Sequence, residues 1–169
     1  LDMEAHAKAF ATHAHEKGGQ RRKYTGEPYI VHPAEVVELV RSVPHTEAMI
    51  LASWLHDTVE DTEVTLSQIE DHFGAEVASL VEMVTDVSPL ADGNRFARKE
   101  IDREHLQKAS PAGKTIKLAD IISNSRSIIE HDPKFAAVYL VEKRLLLEVL
   151  KEGDATLWHQ AYAIVNSAR

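Results

Sequence analysis

Apolar residues recur along this chain at helical spacing, and no alternating apolar/polar run marks a half-buried strand. Val77, Leu80, Val81 and Val84 fall on one helical face, so 75–85 reads as an amphipathic helix. Residues 3–17 are rich in Ala and free of Pro and Gly, which favours a first helix ended by Gly18-Gly19. Pro33 suits the first turn of a helix over 33–43. Thr46 caps a third helix running to about His56. Thr65 and Gln68 form a capping-box pair before a short helix that stops at Gly74. Helices follow over 96–108, 114–130 and 133–151, and Asp154 caps a last one to the C-terminus. Between them lie a loop over 20–33, a loop over 87–95 and a turn over 110–113. Asp132-Pro133 pairs an N-cap with a Pro at the first helical position. No repeat, low-complexity segment or interdomain linker interrupts the pattern. It predicts an all-α fold in one domain over 1–169, with the core over about 5–165.

Composition narrows the function. The 169 residues are 44% hydrophobic and 27% charged, enough apolar material for a core and unlike a disordered chain. The longest apolar run near the middle, 48–55, is far short of a membrane span, and no signal segment opens the chain. The expectation is a cytoplasmic protein with no membrane partner. With no cysteine, disulfides, thiolate metal sites and cysteine nucleophiles are excluded. A net charge of −8 argues against duplex nucleic acid as partner, yet leaves room for a small anion held by a local basic cluster.

The chemistry concentrates around His56-Asp57, followed at once by Glu60 and Asp61. Ionisable groups beside a buried apolar run are costly unless paired or metal-bound. Neutral imidazole with carboxylate suits a divalent first-row cation, with Mn, Fe, Zn and Co all open. His32 and Asp120 are candidates to join the pair. Lys117, Asp120 and Asn124 share one helical face at i, i+3 and i+7. The candidate ligand set is therefore His32, His56, Asp57 and Asp120. A lone His-Asp dipeptide also serves as an ordinary hydrogen-bonded helix end, and Asp120 also suits an ion pair with Lys117 or Arg126. Histidines 6, 13, 15, 45, 72, 105, 131 and 159 read as surface or local structural residues. Residues 145–147 read as core, and the apolar stripe of 133–151 leaves a homodimer open.

The segments HPAEVVELV (32–40), WLHDTVEDT (54–62), FGAEVASLVEMVTDV (73–87) and KLADIISNSR (117–126) resemble the HD-domain phosphohydrolases. With RRKYTGEPYIVHP (21–33) the likeness narrows to the hydrolase domain of the RelA/SpoT family. Without synthetase or regulatory segments, the chain is similar to the stand-alone small alarmone hydrolases, such as the metazoan SpoT homologue. The resemblance implies a single HD-domain helical bundle. It implies that His32, His56, Asp57 and Asp120 hold a metal, usually Mn(II), and that Glu60 and Asp61 position or deprotonate the attacking water. It matches Arg22 and Lys23 to contacts with the guanine base and its phosphates, and Asn124 to the nucleotide sugar. Lys117, on the Asp120 face, and Arg98, in the basic stretch with Arg95, Lys99 and Arg103, are further candidate substrate contacts. Lys99 and Arg103 also fit ordinary solvated patterning with Glu100 and Glu104.

The implied reaction removes the 3′-pyrophosphate of guanosine 3′,5′-bis(pyrophosphate), giving GDP, or GTP from the pentaphosphate. Ile121 and Ser123 depart from the residues more usual there, which leaves substrate selectivity open. An adenosine alarmone or NADPH on the same centre is the alternative within enzymes. A non-catalytic nucleotide-binding HD module is the alternative outside them.

Overall fold

The computed structural model describes residues 2–89, 91 and 93–167. Among these residues there are ten helical segments and no strand; one isolated bridge pairs Arg21 with Pro28. The chain divides after Thr85 into two compact units.

The first unit holds α1 (Met3–Lys17), α2 (Val31–Arg41), α3 (Glu47–Leu55), α4 (Thr58–Asp61), α5 (Leu66–Phe73) and α6 (Ala75–Val84). Its centre is α3, which is buried continuously from Met49 to Leu55 and packs against α1, α2 and α6. A helix apolar all round belongs inside, and this one is surrounded. Its one hydroxyl in that stretch, Ser53, is satisfied locally by donating to the Met49 carbonyl at 2.7 Å. The Thr46 side chain caps it by accepting the Met49 N–H, and Thr65 with Gln68 forms the complete reciprocal box of α5. Gly74 joins α5 to α6 directly at φ 94°, a conformation that favours glycine.

The second unit holds α7 (Arg95–Gln107), α8 (Pro111–His131), α9 (Pro133–Glu148) and α10 (Ala155–Val165). Here α8 packs on both α9 and α10 and buries Ile116, Leu118, Ala119, Ile121 and Ile122. The turn before α10 presses on α8. A Cβ at Gly153 would stand 2.7 Å from Leu118 Cδ1, and the Asp154 N–H donates to Thr115 Oγ1 at 2.9 Å.

Three local expectations are corrected. Residues 110–113 are the start of α8: Ser110 Oγ accepts the Gly113 N–H at 3.2 Å, and Pro111 opens the helix because its missing N–H is not needed there. Likewise α2 begins at Val31, two residues before Pro33, so His32 is helical. Leu145 lies outside the core. It forms an outward apolar row on α9 with Val138 and Val141, while Leu146 and Leu147 are buried. Among the described residues no helix is long and apolar enough to cross a membrane.

Candidate metal centre

The packing of α2 on α3 brings two imidazoles together. His32 sits in the first turn of α2 and is fully buried, and His56 caps the C-terminus of α3 at 3% exposure. Asp57 follows as the residue opening α4. Ligand atoms of His32, His56 and Asp57 lie within 4.8 Å of one another. His56 Nε2 is 3.1 Å and His32 Nε2 3.5 Å from the same oxygen, Asp57 Oδ2.

Hydrogen bonds orient these donors. His56 Nδ1–H donates to the Ser53 carbonyl at 2.8 Å, which directs the Nε2 lone pair at Asp57. Tyr29 donates its O–H to Asp57 Oδ2 at 2.6 Å. A lone pair aimed at a carboxylate is repulsive unless a proton or cation stands between them. Two imidazole nitrogens and a carboxylate oxygen, largely buried, fit a divalent cation.

Behind Tyr29 lies His15, its ring centroid 4.6 Å from that of Tyr29. His15 is a buried structural residue, 1% exposed, and burial holds its pKa below the usual histidine range. Its Nδ1 meets Gln20 Oε1 at 2.8 Å, and Gln20 Nε2 donates to Asp61 Oδ2 at 3.3 Å. Glu60 and Asp61 are exposed on α4, one turn beyond Asp57. Asp61 also borders a cavity of about 540 Å³ with Phe10, His13, Lys17, Gln68 and His72.

The basic loop is closed on itself. The Arg22 N–H donates to the Glu27 carbonyl at 2.9 Å, and the Gly26 N–H donates to the Arg22 carbonyl at 3.0 Å. Arg22 is half-buried, whereas Lys23 is exposed with its ammonium 5.4 Å from the Tyr24 ring centroid.

In the second unit Asp120 is buried on α8, and both of its oxygens are held from its own helix face. Lys117 Nζ donates to Oδ2 at 3.0 Å and Asn124 Nδ2 to Oδ1 at 3.1 Å. The predicted grouping on one face and the predicted ion pair are thus both present. A carboxylate has about four lone-pair sites, so these bonds leave capacity for a further cation. Arg98 is half-buried and donates to the Gly93 carbonyl at 3.3 Å.

Sequence reasoning missed Lys143. This lysine of α9 is 8% exposed and lines a small, partly open cavity of about 30 Å³ with Lys99 and Arg103 of α7 and Lys117 of α8. Burial, then the nearby Lys117 and Lys99, brings its pKa down to about 7. Its position one turn from Tyr139 and Leu147, and three residues from Leu140 and Leu146, is the only sequence signal that it faces inward.

A family model described as the HD domain matches residues 7–144. The mouse guanosine-3′,5′-bis(diphosphate) 3′-pyrophosphohydrolase MESH1 is 44% identical over 122 residues, 70% of this chain and 65% of that protein. Its human counterpart is 42% identical over 128 residues, 74% of this chain and 69% of that one. A probable guanosine-3′,5′-bis(diphosphate) 3′-pyrophosphohydrolase of Synechocystis is 39% identical over 127 residues, but only 16% of its length is spanned. Among solved structures, a metazoan orthologue of SpoT that hydrolyses ppGpp superposes with a TM-score of 0.86 at 28% identity, covering 99% of this chain and 96% of that one.

Proposed function

The chain belongs to the HD-domain family and is similar to the MESH1 proteins, and on that premise we propose that it is a metal-dependent 3′-pyrophosphohydrolase of guanosine 3′,5′-bis(pyrophosphate). The observation that carries this reading is the convergence of two buried imidazole Nε2 atoms on one oxygen of Asp57. His32, His56 and Asp57 would hold the cation, and Asp120 would complete the set. Mn(II) is the expected metal. A divalent cation in that set would neutralise phosphate charge, polarise the P–O bond and lower the pKa of water.

The remaining work falls to the chain's own side chains. Glu60 and Asp61 orient the attacking water and take its proton, a role for which paired carboxylates are suited. Gln20 holds Asp61 by its amide. Arg22 and Lys23 take the purine and its phosphates; a guanidinium can both stack on a base and fork onto phosphate. Asn124 meets the sugar, and Lys117 and Arg98 meet phosphate. Water is consumed, the bond between phosphorus and the 3′ oxygen breaks, and GDP and pyrophosphate leave. The protein works in the cytoplasm on a free nucleotide. The row of Val138, Val141 and Leu145 is where two copies would pair, which sedimentation velocity checks.

The test is incubation of purified protein with guanosine 3′,5′-bis(pyrophosphate) and Mn(II), or with EDTA, and separation of products by anion exchange. GDP and pyrophosphate formed only with metal are expected. No turnover with Mn(II) would overturn the guanosine assignment. Turnover of NADPH or an adenosine alarmone instead would keep the metal centre and change the substrate. Nucleotide binding without turnover of any of them would leave a binding module.

A further inference from the structure

The inward face of α9 carries a cation where helix packing calls for an apolar side chain. Lys143 lies within the buried row of Tyr139, Leu140, Leu146 and Leu147. Its ammonium is 4.8 Å from the Tyr139 ring centroid, and among the described residues it makes no hydrogen bond or ion pair. The cavity it faces is lined by three more cations, Lys99, Arg103 and Lys117.

Two of the three carboxylates lining that cavity, Glu142 and Asp102, are engaged elsewhere. Glu142 receives Arg95 through two bonds, from Nε at 2.6 Å and from the guanidinium NH2 at 3.0 Å. Asp102 accepts the N–H groups of Val87 at 2.9 Å and Ser88 at 3.0 Å, and the Ser88 hydroxyl at 2.8 Å. Lys117 is matched by Asp120. That leaves Asp86 facing Lys99, Arg103 and Lys143. A buried ammonium with no hydrogen-bonded or ion-paired partner is costly, and the cost is relieved when an anion enters.

We propose that this cavity takes the terminal phosphoryl group of a pyrophosphate ester, with Lys143 as the residue that separates such substrates from monophosphate esters. The proposal rests on the hydrolase reading above and adds its specificity element. Two observations favour a phosphoryl group. Its several charged oxygens can be met from many sides, and here cations approach from α7, α8 and α9. The cavity also begins one side chain beyond Asp120, because Lys117 lines it while its Nζ contacts that carboxylate at 3.0 Å. A phosphoryl group held by a cation at Asp120 would direct a second one, attached to it, past Lys117 toward Lys143.

Lys143→Met and Lys143→Arg separate charge from packing. With guanosine 3′,5′-bis(pyrophosphate), Lys143→Met is expected to raise KM about tenfold or more, the loss of one charge-assisted hydrogen bond. Its kcat/KM for a monophosphate ester such as NADPH should match that of the wild type. Lys143→Arg should retain most of the affinity for the pyrophosphate ester. A second readout needs no turnover. In EDTA, pyrophosphate should raise the Tm of the wild type and leave that of Lys143→Met unmoved, while the ligand-free variant melts no lower than the wild type. Equal protection of both proteins by pyrophosphate, or an equal loss on both ester classes, would overturn the proposal. If the wild type hydrolyses no nucleotide but keeps protection that depends on Lys143, the hydrolase reading fails and the anion site stands.

Discussion

Tyr29 donates its phenolic hydrogen to Asp57 at 2.6 Å, on the same carboxylate oxygen that faces both His32 and His56. The bond lets a residue of the basic loop set the angle of a metal-ligand candidate on another segment. Outer partners of this kind typically change metal affinity by about 10–100-fold when removed. Tyr29→Phe should therefore bind Mn(II) more weakly by roughly that factor with its fold intact. Competition with a chelator measures it, and unchanged affinity would remove Tyr29 from the centre.

His56→Ala and Asp57→Ala should abolish turnover and weaken metal binding together. Asp57→Ala also leaves the His32 and His56 nitrogens without the carboxylate that they face. Metal content after gel filtration, read beside activity, decides the matter; full activity in either variant would sink the assignment.

Glu60→Gln should keep the metal and lose rate. Glu60 is exposed, so the swap leaves the core undisturbed. General acid–base groups are typically worth about 10²–10⁴ in rate. A drop in kcat of that order at unchanged metal content is expected, and an unaltered kcat would take Glu60 out of water activation.

Lys143 also predicts how stability follows pH. Its pKa is about 7 in the fold, against about 10.4 for an unperturbed lysine. Between those values the unfolded chain binds the extra proton, so stability rises with pH. Below about pH 7 the ammonium is charged in both states and the fold carries its full burial cost. The Tm of the wild type relative to Lys143→Met should therefore climb from pH 7 to pH 10, since other groups titrating in that window are common to both. A flat difference would show that Lys143 stays charged inside.

Much of the helical framework is legible from local chemistry. Thr46, Thr65 with Gln68, and Asp154 cap where their hydroxyls and carboxylates foretell, because a cap needs only its own next three residues. The misreadings have the same local character in reverse. Ser110-Pro111 looks like a turn, yet those two residue types equally open a helix. The single turn Thr58–Asp61 is too short to leave any periodicity.

For the site, sequence alone determined donor types and one grouping. Lys117, Asp120 and Asn124 share a face because a helix repeats every 3.6 residues, and both flanking groups do bond to Asp120. It also picked out His32 and His56, but 23 intervening residues carry no information about distance. Their meeting was decided by the packing of α2 on α3, and their aim by Ser53 and Tyr29. Lys143 was decided by tertiary structure as well. Pattern treats a lysine as a solvent-facing residue, and only the seating of α9 in its unit turned this one inward among other cations. Hydrogen bonds along a helix connect near neighbours in the chain, whereas a buried site is assembled by side-chain packing between segments far apart in it.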